Sequence, residues 1–145
     1  MNGPSYRFRL ERVRALRERH EEQAKQEFAV ALQAHEHSQG ELARVEARID
    51  SARSEQLTAA GMELGAHQTY LERLEHLREL ALQDLARREV ELSERRLALT
   101  KASQELEALE RLREKGLVDH NREQARVEQI TLDEIAGNGH WRRAA

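Results

Sequence analysis

From Leu71 onward nearly every seventh residue is apolar: Leu71, Leu85, Leu92, Leu99 and Leu106 follow one another, with Arg78 and Arg113 breaking the series. A companion series three residues on reads Leu74, Ala81, Arg88, Arg95, Ala102, Leu109 and Gly116. Apolar positions alternating three and four apart make a heptad seam, the signature of a helix that buries one stripe against another helix. The first half of the chain carries the same spacing in Leu42, Val45, Ile49 and Ala52, extended backwards by Phe28 and Ala31 and restarted by Leu10 and Val13. His35 and Ser38 occupy seam positions between them, so the middle of this stripe is polar. An apolar side chain removed from water is worth about 1.5–3 kcal/mol, which polar layers give up.

Helix-breaking residues set the boundaries of these stripes. Pro4 and Ser5 stand where a helix would start, with Ser5 a candidate N-cap. Gly40 is tolerable at about 1 kcal/mol relative to Ala. Gly61-Met62-Glu63-Leu64-Gly65 is the interior turn, and Gly137-Asn138-Gly139 is a C-terminal stop. The expectation is one all-α domain over residues 1–145: helix 1 over about 5–60, a turn at 61–65, helix 2 over about 66–136 and a loose tail at 137–145. Two amphipathic arms joined by a short turn fold back as an antiparallel coiled-coil hairpin. The fold places Leu42 opposite the neighbourhood of Leu85, Ile49 opposite that of Leu77 and Phe28 opposite that of Leu99. Helix 2 is longer, so residues from about Asp119 to Ala136 overhang with Val127, Ile130, Leu132 and Ile135 unpartnered.

Composition supports long helices and argues against a globular enzyme. Ala, Glu, Lys, Leu and Arg make up 87 of the 145 residues, while aromatics reach only 3% and there is one Pro. With no Cys there is no disulfide, thiol nucleophile or Cys-ligated zinc. The seven His, at 20, 35, 37, 67, 76, 120 and 140, form no HExxH pair, and His35 and His37 face different sides of a helix. Neither phosphate-binding glycine motif is present, so no nucleotide, cofactor, metal or catalytic residue is expected, and a two-helix rod offers no preformed cavity for chemistry. No apolar run approaches a membrane span or a signal-peptide core, which makes the cytoplasm the expected location.

Net charge is −3, but its distribution is uneven. Residues 1–20 hold six Arg against Glu11 and Glu18, whereas residues 116–136 hold five acids against Arg122 and Arg126. The basic start suits an acidic partner. Nucleic acid is disfavoured, because no stacking aromatics follow and the adjacent segment is acidic.

Four strings in order resemble the FliJ family of bacterial flagellar export: Phe8-Arg9-Leu10-Glu11-Arg12-Val13, Tyr70-Leu71-Glu72-Arg73-Leu74, Leu109-Glu110-Arg111-Leu112-Arg113-Glu114-Lys115 and Leu132-Asp133-Glu134-Ile135-Ala136. Gly116, directly after the third string, departs from the family pattern and is a candidate kink. The resemblance implies a stalk whose terminal end enters the hexameric flagellar export ATPase and stimulates it. Its turn end would meet the cytoplasmic domain of the membrane export gate, and export chaperones would be escorted. Carried onto this chain, the ATPase end is Phe8, Leu10, Arg12, Val13, Leu132, Asp133 and Ile135, with the Arg-rich block at 7–19 registering against acidic loops of the ring. The gate end is Leu42, Val45, Ile49, Tyr70, Leu74 and Leu77. Of these, Tyr70 is the expected exposed anchor, and seam packing is the expected role of the other five. A virulence-type injectisome stalk and a generic coiled-coil scaffold share the hairpin and stay open on the heptads alone.

Overall fold

The computed structural model describes residues 4–56 and 64–144. Among them are two helices and no strand: α1, Glu11–Gln56, and α2, Leu64–Ala144. The two helices pack against each other, giving an all-α fold that is 95% helical over these residues. Of the expected turn, residues 61–63 lie outside the described residues, as do the expected last residues of helix 1 at 57–60; Leu64 and Gly65 already belong to α2.

Two boundaries differ from the sequence expectation. Helix 1 starts at Glu11 instead of near Ser5, and residues 4–10 form a non-helical segment. The Glu11 amide donates to the Phe8 carbonyl at 3.2 Å and the Arg14 amide to the Leu10 carbonyl at 2.8 Å, so backbone turns close the helix start without a Ser cap. The loose tail is likewise corrected, because α2 continues through Gly137-Asn138-Gly139 to Ala144. No described glycine adopts positive φ, so the left-handed geometry that would end a helix at those glycines is absent. Arg142 and Arg143 in the last turn favour the helix, since cations near a C-terminus offset its dipole.

The chain divides into two compact units, Glu22–Lys101 and Met1–Glu21 with Ala102–Ala145. In the first, Ile49, Ala52, Leu71 and Leu74 form a buried cluster against which Val45 packs. Ala24, Ala31 and Leu92 are also buried, with Ser38 the one buried polar residue among those described. These positions and the half-buried Phe28, His35 and Leu42 keep the alternating three-four spacing, as the stripe requires. Cross-helix pairs fix an antiparallel register: Arg53–Glu75 at 2.7 Å, Arg78–Glu46 at 3.4 Å, Ser38–Asp84, and Arg95–Glu27 at 3.0 Å. Leu42 lies between Ser38 and Glu46 and so faces Ala81 and Leu82, within one turn of the expected Leu85. Leu77 is 40% exposed and Arg78 takes the seam position, and Ile49 shares its buried cluster with Leu74, within one turn of the expected Leu77.

In the second unit, Leu106 is buried, with Leu10, Ala102, Leu109 and Gly116 half-buried. Continued backwards, the three-four spacing passes through Glu21, Arg17, Arg14 and Leu10, and all four are at least partly buried. Val13 is one residue off this line and is 41% exposed, which corrects its assignment to the seam. Arg17 bridges to Glu105 at 2.7 Å across the pair.

Candidate functional site

The terminal unit exposes a long run of α2. Beyond His120 every described side chain of α2 is exposed except Gln124, which is half-buried. Val127, Ile130, Leu132, Ile135 and Trp141 present apolar surface there, Trp141 at 78% exposure. At 1.5 Å rise per residue, Leu132 lies about 18 Å along the helix from His120. Phe8 and Leu10 are half-buried where the N-terminal segment packs, and Arg12 is exposed. The seven residues expected at the ATPase end therefore form two patches: Phe8, Leu10, Arg12 and Val13 in one, Leu132, Asp133 and Ile135 in the other.

The N-terminal segment is held by a joint that the heptads do not reveal. Tyr6 lies against Gly116 so closely that a Cβ there would overlap its phenolic oxygen and come within 3.0 Å of Cζ. One turn further on, the His120 ring stands 5.6 Å from the Tyr6 ring, and His120 Nε2 lies 3.0 Å from the Pro4 carbonyl oxygen. Gly116 therefore makes a notch and does not interrupt α2, which runs through it unbroken. A signal was present in the sequence: a glycine at a seam position, where this Ala-rich chain would otherwise place alanine at lower cost in helix propensity.

The basic block is partly neutralised within the chain. Arg14 contacts Glu11 at 2.7 Å and Glu18 at 3.3 Å, and Arg17 is engaged by Glu105. Hydrogen bonding to the Arg14 guanidinium holds the Glu11 carboxyl below its ordinary range and pushes Arg14 up. Neither Arg7 nor Arg113 takes part in a hydrogen bond or ion pair among the described residues, and both line a groove of about 360 Å³ with Tyr6, Phe8 and Glu11.

The residues expected at the gate end divide by exposure. Ile49 and Leu74 are each 3% exposed and are spent on the core. Leu42 and Val45 are half-buried, whereas Tyr70 and Leu77 face solvent at 44% and 40%. Tyr70 stands 6.4 Å from His67, whose Nε2 meets the Ala52 carbonyl oxygen across the helix pair.

Among the described residues no three His, Asp or Glu side chains converge as metal ligands, and no helix is long and apolar enough to cross a membrane. Comparison with curated proteins and with solved structures returned no match. The family model described as flagellar FliJ protein matches residues 6–145. With nearly the whole length matched, the chain belongs to the FliJ family and so to the structural and assembly proteins of the flagellar export apparatus.

Proposed function

We propose that this chain is the stalk of the flagellar type III export apparatus: it inserts into the hexameric export ATPase, stimulates it, and links it to the membrane export gate. The observation that carries this reading is the end of α2, whose apolar side chains at 127, 130, 132 and 135 are 45–62% exposed. A helix of that kind buries its surface on another protein. On this reading Phe8, Leu10, Arg12 and Val13 form one contact with the ATPase and Leu132, Asp133 and Ile135 a second. Tyr70 and Leu77 are the exposed anchors toward the cytoplasmic domain of the gate, with the half-buried Leu42 and Val45 part of the same contact. The work sits in the cytoplasm at the inner face of the membrane, and escort of export chaperones belongs to the same role.

The test is co-purification with the export ATPase and measurement of its hydrolysis rate. The wild-type chain is expected to raise the rate. The double substitution Leu132→Asp and Ile135→Asp, at positions 60% and 62% exposed, is expected to abolish most of that stimulation while leaving helicity unchanged. Stimulation equal to wild type by the double variant overturns the assignment of this patch, and no stimulation by the wild-type chain overturns the stalk.

A further inference from the structure

We infer that the groove formed by Tyr6, Arg7, Phe8, Glu11 and Arg113 is a preformed receptor for an acidic peptide segment, held open by the seating of Tyr6 in the Gly116 notch. This deepens the stalk reading by naming the chemistry of one contact, and it rests on that reading only for the identity of the protein that supplies the peptide.

Three observations carry it. The first is charge. Among the described residues Glu11 is the only acid lining the groove, and its carboxylate is already occupied by Arg14 Nε at 3.0 and 3.1 Å and by Arg14 Nη2 at 2.7 Å. Arg7 and Arg113 are left as two guanidiniums without a direct partner among the described residues, and Arg113 feels Glu11 only at longer range. Two unspent guanidiniums beside one groove suit a carboxylate, which a guanidinium grips through paired N–H groups.

The second is the lining. Tyr6 and Phe8 give the groove aromatic surface, so the occupant carries apolar carbon next to its carboxylate, as a peptide with neighbouring apolar and acidic side chains does.

The third is preorganisation. Residues 4–10 are not helical, yet they are pinned at two points one turn apart, Tyr6 on Gly116 and the Pro4 carbonyl on His120 Nε2. The turn from the Phe8 carbonyl to the Glu11 amide then fixes where Arg7 and Phe8 stand. A receptor already ordered in its binding geometry does not lose affinity to ordering itself. Gly116 thus acquires a role: the residue admits the tyrosine that builds the groove.

The test uses the full chain and a fluorescein-labelled peptide of alternating Asp and Phe, titrated by anisotropy without any ATPase present. Saturable binding is expected. Arg7→Glu and Arg113→Glu are each expected to weaken it at least tenfold. Gly116→Ala, which changes no charge and favours the helix, is expected to weaken it as much by unseating Tyr6, and Tyr6→Ala to do the same. Arg122→Glu, the same charge change at an exposed site away from the groove, is expected to stay within twofold of wild type. The proposal is overturned by unaltered binding in Gly116→Ala, by equal losses in Arg122→Glu and Arg113→Glu, by equal competition from single-stranded DNA, or by no binding at all. Because the ATPase is absent, failure here leaves the stalk assignment to its own assay, and failure there leaves this groove measurable.

Discussion

Ser38 and Asp84 show how one polar layer inside an apolar seam behaves. The Ser38 hydroxyl donates to Asp84, and Arg87 and Arg88 lie nearby at 2.5 and 3.9 Å. The hydrogen bond from Ser38, with a second from Arg87, holds the Asp84 carboxyl below its ordinary range. A carboxyl depressed on folding adds stability above its unfolded pKa, about 3.9, and loses it as pH falls through the lower folded value. Thermal midpoints measured from pH 7 down to pH 2 are therefore expected to fall more steeply for wild type than for Ser38→Ala, with the two curves converging in acid. Parallel curves would mean that the hydroxyl does not select the ionised form. The polarity of this layer was legible, since the spacing put Ser38 on the stripe. Its partner was not, because a heptad gives the facing neighbourhood and not which of Asp84 or Leu85 turns inward. Val13 was misplaced for a related reason: Leu10 and Val13 have seam-like spacing, but the stripe extended back from Ala24 runs through Arg17 and Arg14.

Single helices hold together here through a narrow line of contacts, so position on the helix matters more than residue type. Ile49 is 3% exposed and Leu97 is 69% exposed, although both are large aliphatics. Ile49→Ala is expected to cost about 2–4 kcal/mol, because it opens space in the cluster with Leu71 and Leu74. Leu97→Ala is expected to cost under about 0.5 kcal/mol, as for other surface changes. Urea midpoints followed by circular dichroism measure both, and comparable losses would contradict the register. The long heptads made α1 and α2 legible because a repeated period accumulates over many turns. The ends were harder: a proline and a serine suggested a start near Ser5, whereas residues 4–10 stay outside the helix, with Tyr6 seated against Gly116. At the other end two glycines suggested a stop, but α2 carries on with its backbone in ordinary helical geometry.

For the molecule as a whole, apolar burial is unequally shared. Among the described residues, seven of the eight buried apolar ones, all but Leu106, lie in the unit Glu22–Lys101, while the terminal unit keeps much of its aliphatic surface outside. That asymmetry suits a family whose members work by assembling with other proteins, and the ordered strings pointed to the family where periodicity reached only a coiled coil. The groove beside Arg113 was not legible, since it depends on a glycine and a tyrosine more than a hundred residues apart. One consequence of the exposed helix end concerns light. The chain has a single tryptophan, Trp141, and its indole stands 78% in water near the last residue of α2. Its emission is expected at the red, hydrated limit in the isolated chain and to move to the blue when a binding protein sheathes that end. Loss of the distant Ile49 cluster is expected to leave the colour unchanged. The protein thus carries an intrinsic optical gauge of occupancy at its carboxyl end, and titrating the ATPase into it would be read without adding a dye.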